Sequence, residues 1–161
     1  GGGGGGGAAS ATTTVVVDDV DVVIIGSGTS SYYCMLALKE AGRRVAVVDE
    51  LPFGGTCALR GCTPKKYLVA NVEAVHAVRA LRERGVDGDA RTNWAELQRL
   101  KAAFTDGVPS GTLAELHSYG VRTYAGAARL VDGTTVDVVG GADAGTRLVA
   151  KHVVLATGST P

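Results

Sequence analysis

Cys57 and Cys62 carry the most reactive side chains of this sequence. They lie in the run Gly54-Gly55-Thr56-Cys57-Ala58-Leu59-Arg60-Gly61-Cys62-Thr63-Pro64-Lys65-Lys66. Two chemistries could use such a pair. Structural zinc takes cysteines about two to four residues apart, plus two further ligands. Here four residues separate the thiols, and the third cysteine, Cys34, falls in a separate helix-forming stretch. A disulfide is the better reading, under one geometric condition. Five residues of regular α-helix advance ~7.5 Å, whereas bridged Cα atoms lie about 4.4–6.8 Å apart. The segment must therefore be a distorted turn. Gly61 lets it bend, and Pro64 lacks a backbone donor. A bridge in so short a loop should be easy to reduce. Arg60, Lys65 and Lys66 surround the sulfurs with positive charge, which favours a thiolate. The expectation is a redox pair and no metal site.

A second constellation suits phosphate. Gly26-x-Gly28-x-x-Ser31 follows a β-branched run and opens a helical one. Gly26 permits the sharp turn, Gly28 lets a pyrophosphate approach the backbone, and Ser31 is small enough for helix–strand packing. Free N–H groups at the helix start, with the positive end of its dipole, hold phosphate charge. Asp49 ends the next strand, 23 positions after Gly26. That is near the ~20 expected of a carboxylate that accepts from ribose hydroxyls. Glu50 beside it could compete for this role.

These residues must be positioned by alternating strands and helices. Val20–Ile25 and Val45–Val48 read as strands buried on both faces, joined through a helix from Ser31 to Ala41 that Gly42 stops. A helix is expected from about Pro64 to Arg84, with Leu68, Val72, Val75, Val78 and Leu81 on its apolar stripe. Asn93 should cap another through Phe104, with Trp94, Leu97, Leu100 and Phe104 inward, and Leu113–Tyr119 forms a shorter one. Short strands follow at Val121–Tyr124, Ala128–Val131, Thr134–Val139 and Arg147–Val149. His152–Thr157 reads as a third buried parallel strand. The fold class is α/β, an open parallel sheet with a small antiparallel β insert.

Composition sets outer limits. The 161 residues carry 16 basic and 16 acidic side chains. The absence of net charge gives no electrostatic reason to expect nucleic acid or a membrane surface as partner. No apolar run reaches the ~18 residues of a membrane span. Residues 1–18, opening on seven glycines, are expected to form a disordered tail. The chain begins at Gly1, its one methionine is Met35, and it stops just past a strand-like run. It therefore reads as part of a longer protein, incomplete at the C-terminus. Reducible thiols and the lack of a recognisable signal make the cytoplasm the expected compartment.

The dithiol run, Gly26-Ser27-Gly28 and Ala156-Thr157-Gly158-Ser159-x-Pro161 together resemble the class I flavoprotein disulfide reductases, the pyridine nucleotide-disulfide oxidoreductases. That family includes glutathione reductase, dihydrolipoamide dehydrogenase and mercuric reductase. The resemblance covers residues 19–161 and implies the N-terminal part of a Rossmann-like FAD-binding domain. It implies that Gly26, Gly28, Thr29 and Ser30 hold the FAD pyrophosphate, and that Asp49, where the family more often has Glu, binds the adenosine ribose. Thr56 would line the flavin, and Gly126-Ala127-Ala128 would meet the adenine. Thr157 and Gly158 would return the chain to the flavin. Cys57 would be the interchange thiol, Cys62 the charge-transfer thiol, and Lys65 would sit near flavin N5. Electrons would pass from NAD(P)H through FAD to the Cys57–Cys62 pair, and on to a small-molecule disulfide or thiol substrate. Pro64-Lys65-Lys66 resembles the glutathione reductase branch. A homodimer is implied for the full-length parent.

The resemblance also implies machinery outside this sequence: a second nucleotide fingerprint for NAD(P)H and a C-terminal His-Glu pair. The chain alone is therefore expected not to turn over. His76, His117 and His152 read as structural or solvated, and Cys34 as an inert thiol. Two other classes stay open. One is a non-catalytic FAD- or nucleotide-binding module. The other is an ordinary NAD dehydrogenase domain, which leaves Cys57, Cys62 and Lys65 unexplained.

Overall fold

The computed structural model describes residues 16–159. Residues 1–15 of the expected tail, and Pro161 of the last motif, lie outside the described residues. In chain order the elements are β1 (Val16–Ile25), α1 (Thr29–Glu40), β2 (Val45–Asp49), α2 (Gly55–Leu59), α3 (Cys62–Ala80), α4 (Trp94–Ser118), β3 (Arg122–Ala125), β4 (Ala127–Leu130), β5 (Thr135–Val139) and β6 (Thr146–Leu155). The strands form one six-stranded sheet in the order β3-β2-β1-β6-β5-β4. β3, β2, β1 and β6 run parallel, while β5 is antiparallel to both β4 and β6. The architecture is the expected α/β, Rossmann-like one.

Both faces of β2 and of residues 22–24 of β1 are buried, which is why these stretches are almost continuously β-branched. Val23, Ala46 and Val48 pack on one face with Val136, Val138 and Leu148 of the antiparallel arm. Val22, Ile24, Val45 and Val47 pack on the other with Met35 of α1, Phe53, and Leu116 of α4. The N–H groups of Asp21 and Val22 both donate to the Arg44 carbonyl. That sharing resets the side-chain alternation of β1 and puts Val20 on the same face as Val23. Gly42, at φ +71°, ends α1 as expected, with the Arg43 N–H closing on the Leu38 carbonyl.

Several boundaries differ from expectation. Residues 16–18 belong to β1, not to the tail, because they pair with Thr146–Leu148. Asp18 also accepts from the Arg122 guanidinium and the Tyr124 hydroxyl. The run at Val121–Tyr124 is a parallel edge strand of the main sheet, paired with β2. Arg147–Val149 and His152–Thr157 are one strand, β6, whose first half also pairs with β5. The two helices expected around Phe104 and Leu113 are one, α4, which runs through Pro109. Asn93 caps it, accepting from the Glu96 N–H at 3.2 Å.

The apolar stripes of α3 and α4 are buried less than their spacing suggests. Only Pro64 of α3, and only Leu97 and Leu116 of α4, are buried; Val72, Leu81, Trp94, Leu100 and Phe104 are exposed. The physical reason is placement. These helices pack on α2 and on one another, whereas α1 and the C-terminal end of α4 cover the sheet.

Candidate functional site

The cleft begins where the strands end. Ile25 and Asp49 close the carboxyl ends of β1 and β2, and Ala156 directly follows β6. Around them opens a cleft of about 420 Å³. β2 lies on one side of β1 and β6 on the other, so the cleft marks the switch point of the sheet, where open α/β folds bind ligands. Its volume falls in the range of small-molecule sites.

The first turn is built as a cradle. Gly26 adopts φ +105°, and a Cβ there would stand 2.3 Å from the Ala156 carbonyl oxygen, so no other residue fits without moving β6. Gly28 precedes α1 with extended backbone, and α1 has no side-chain cap and no acid in its first turn. The first N–H groups of α1, at the exposed Thr29 and Ser30, are thus left for an anion. Gly126, Ala127 and Ala128 line the same cleft, as do Thr157 and Gly158.

Asp49 faces this cleft, yet much of its carboxylate is already engaged. Oδ2 accepts from the Ser27 N–H at 2.8 Å and the Ser27 hydroxyl at 2.6 Å, and Oδ1 accepts from the Leu51 N–H at 2.9 Å. Of roughly four lone-pair positions on a carboxylate, about one remains for a ligand. Glu50, exposed and lining the cleft, makes no hydrogen bond or ion pair with the other described residues.

The thiols flank a break between two helices. Cys57 lies in α2 and Cys62 is the first residue of α3. Between them Arg60 takes φ −135° and ψ −8°, and Gly61 takes φ −119° and ψ −107°. This is the distorted turn that the spacing demanded. Gly61 suits that place, because a Cβ would stand 3.0 Å from the Thr56 carbonyl oxygen, tighter than most such contacts. Both cysteines are free thiols in the structure.

Their acidities diverge. Donation to Cys62 is the largest influence on the Cys57 thiol and pushes it up, with desolvation acting in the same direction. Cys62 is pulled down, foremost by accepting from Cys57. Its own backbone N–H and the charges of Lys65 and Lys66 assist. A helix N-terminus favours the thiolate at that position. The pair is thus polarised: the proton is held more firmly on Cys57, and the thiolate is favoured on Cys62.

Ten of the twelve anticipated site residues meet at one cleft: Gly26, Gly28, Thr29, Ser30, Asp49, Thr56, Cys57, Ala128, Thr157 and Gly158. Cys62 is exposed beside Cys57 and does not line it. Lys65 does not line it either. It faces a neighbouring groove with Pro64, Leu68 and Lys101, where its charge reaches Cys62 rather than the cleft. Sequence reasoning missed Ser27, and it took Arg60 only as a charge near the thiols, not as part of the cleft. Arg60 is the one Lys or Arg among the residues that line the cleft, and its place between the two cysteines was the available signal. The described residues hold no group of three or more His, Cys, Asp or Glu that could bind a metal ion. No helix among them is long and apolar enough to cross a membrane.

Residues 20–161 match the pyridine nucleotide-disulphide oxidoreductase family. The chain belongs to this family. Its members bind FAD and NAD(P)H. Similar curated proteins include the dihydrolipoyl dehydrogenase of Chlamydia pneumoniae, 31% identical over 138 residues, which are 85% of this chain and 30% of that protein. That of Bacillus subtilis is 30% identical over 146 residues, 85% of this chain and 31% of the relative. That of Mycoplasma pneumoniae is 32% identical over 142 residues, 85% and 29%. The chain thus spans about 30% of the length of these relatives.

Proposed function

We propose that this chain is the FAD-binding, dithiol-bearing portion of a flavoprotein disulfide oxidoreductase. The observation that carries the reading is the joining of a nucleotide cradle and an asymmetric thiol pair at one cleft, with Cys57 on its wall. The residues fit FAD. Gly26 is held where a Cβ would strike Ala156, α1 presents uncapped N–H groups, and Arg60 offers a cation for an anionic ligand. When bound, FAD would supply the group that exchanges electrons with NAD(P)H on one side and the sulfurs on the other.

The chain's own residues would do the rest. Gly28, Thr29 and Ser30 bind the pyrophosphate, and Asp49 offers its remaining lone pair to the ribose. Ala128 meets the adenine, and Thr56, Thr157 and Gly158 border the ring system. Cys57 exchanges with substrate sulfur once its proton is removed. Cys62 holds the stabilised thiolate, and Lys65 sustains it electrostatically. The couple is a Cys57–Cys62 disulfide and the dithiol. A small-molecule disulfide or dithiol is the substrate class. Pro64-Lys65-Lys66 supports a glutathione-reductase-like use, while relatives named dihydrolipoyl dehydrogenase support oxidation of a dithiol. The whole protein would act as a homodimer in the cytoplasm.

Flavin fluorescence titration of the chain tests the first half: FAD should be bound and its emission quenched. Reduction of the FAD-loaded chain with a dithiol tests the second. A long-wavelength thiolate-to-flavin band should appear, and Cys62→Ser should abolish it. FAD binding with no such band would leave a nucleotide module without redox function.

A further inference from the structure

Ser27 occupies the variable position of Gly26-x-Gly28, for which the turn imposes no side-chain requirement. Yet Ser27 is 8% exposed and its polar atoms are engaged on two sides. Its N–H and hydroxyl donate to Asp49 Oδ2 at 2.8 and 2.6 Å, and its Oγ accepts from the Gly54 N–H at 3.0 Å. Gly54 is the residue that opens α2, three positions before Cys57, and α2 has no side-chain cap of its own. Beside this link Gly28 and Gly55 touch backbone to backbone, so closely that a Cβ on Gly55 would stand 2.4 Å from Gly28 Cα. A continuous set of hydrogen bonds thus runs from the acid facing the nucleotide cradle to the helix that carries Cys57.

We propose that Ser27 is a positioning residue that transmits occupancy of the nucleotide cradle to the Cys57–Cys62 pair. A ligand that hydrogen-bonds Asp49 fixes the Ser27 hydroxyl, which fixes the first turn of α2 and so the place of Cys57 relative to Cys62. This inference rests on the nucleotide-binding reading above. The other charges at the thiols come from Arg60 at the end of α2 and from Lys65 and Lys66 on α3, with Lys101 of α4 in the groove beside Lys65. None of them takes part in the Ser27 link.

The probe is ADP, and the readout is the rate of Cys62 alkylation by iodoacetamide, resolved by mass spectrometry across pH. Cys62 lies outside the cleft, so ADP does not shield it directly. Saturating ADP should lower the midpoint of the Cys62 profile and raise its rate at a pH below that midpoint by about fivefold, the lower end of typical coupling between sites. A direct field from the ADP phosphates has the opposite sign, because nearby negative charge disfavours a thiolate. Ser27→Ala at saturating ADP should lose the gain, and Ser27→Thr, which keeps the hydroxyl, should retain it. The proposal is overturned by a wild-type Cys62 rate that ADP leaves unchanged or lowers, or by a Ser27→Ala protein that responds like wild type. Should Ser27→Ala fail to fold, hydrogen exchange at the wild-type Gly54 amide decides. ADP should slow it, and an unchanged rate overturns the link. Failure of wild type to bind either ADP or FAD in a calorimeter refutes the nucleotide reading and the link with it. ADP binding without a thiol response refutes the link alone.

Discussion

Consider replacing Gly55 with alanine. Gly55 sits at φ +69°, and the new Cβ would lie 2.4 Å from Gly28 Cα and 3.1 Å from Gly28 N. Both obstructing atoms are backbone, so no rotamer relieves the overlap, and cradle and α2 must separate. A left-handed conformation costs an L-residue about 1–2 kcal/mol, and overpacking adds about 1–3 kcal/mol. With a urea m-value of about 1–3 kcal/mol/M for a small protein, the unfolding midpoint should fall by about 1 M or more. Gly28→Ala is the internal control. Its φ is −81°, ordinary for any residue, and its Cβ would meet nothing closer than Gly55 Cα at 3.8 Å. Gly28→Ala should therefore keep the wild-type midpoint, or gain up to about 1 kcal/mol from a less flexible unfolded chain. It should still weaken FAD about tenfold or more, because the methyl group occupies the place a pyrophosphate approaches. Urea titration followed by circular dichroism, with flavin fluorescence for binding, measures both. A Gly55→Ala protein with an unchanged midpoint, or a Gly28→Ala protein equally destabilised, would refute the argument that the two glycines serve different purposes.

Three further outcomes are expected. Because each thiol shifts the other, Cys62→Ala should lower the alkylation midpoint of Cys57 and Cys57→Ala should raise that of Cys62; movement of both midpoints in one direction would contradict a shared proton. Asp137 is held down to about 2 by hydrogen bonds from Arg147 and then Arg129, so its contribution is present above its ordinary value of 3.8 and is lost as pH falls through about 2. That loss should amount to about 1–2 kcal/mol, nearer the lower figure because the guanidiniums are partly exposed, and Asp137→Asn should flatten the stability profile over this window in thermal melts. Asn93→Ala should cost about 1 kcal/mol by removing the cap on α4, read as a lower melting temperature with unchanged FAD affinity.

The exposed apolar residues of α3 and α4 qualify the use of periodicity. Trp94 and Phe104 recur at helical spacing, and that spacing correctly identifies helix. It does not say that a given partner lies within reach, and here Trp94 is 60% exposed. The continuity of α4 was equally hidden. The sequence pattern suggested one helix through Phe104 and another from Leu113, yet between them Val108 and Thr112 pack over Gly54, where a Cβ would stand 2.6 Å from Val108 Cγ1. The segment stays helical through Pro109 despite the lost donor, and there it packs against a residue more than fifty positions away.

What could be read along the chain was whatever depends on neighbours in sequence. Strands buried on both faces must be β-branched runs, a strand-to-helix turn must contain Gly26 and Gly28, and thiols five positions apart cannot approach without a bend at Gly61. The parallel placement of β3, the fusion of two runs into β6, the turning of Lys65 away from the cleft and the capture of Asp49 by Ser27 were decided by the tertiary structure alone. Each depends on a partner brought near by sheet order, across a separation over which propensity and spacing carry no information.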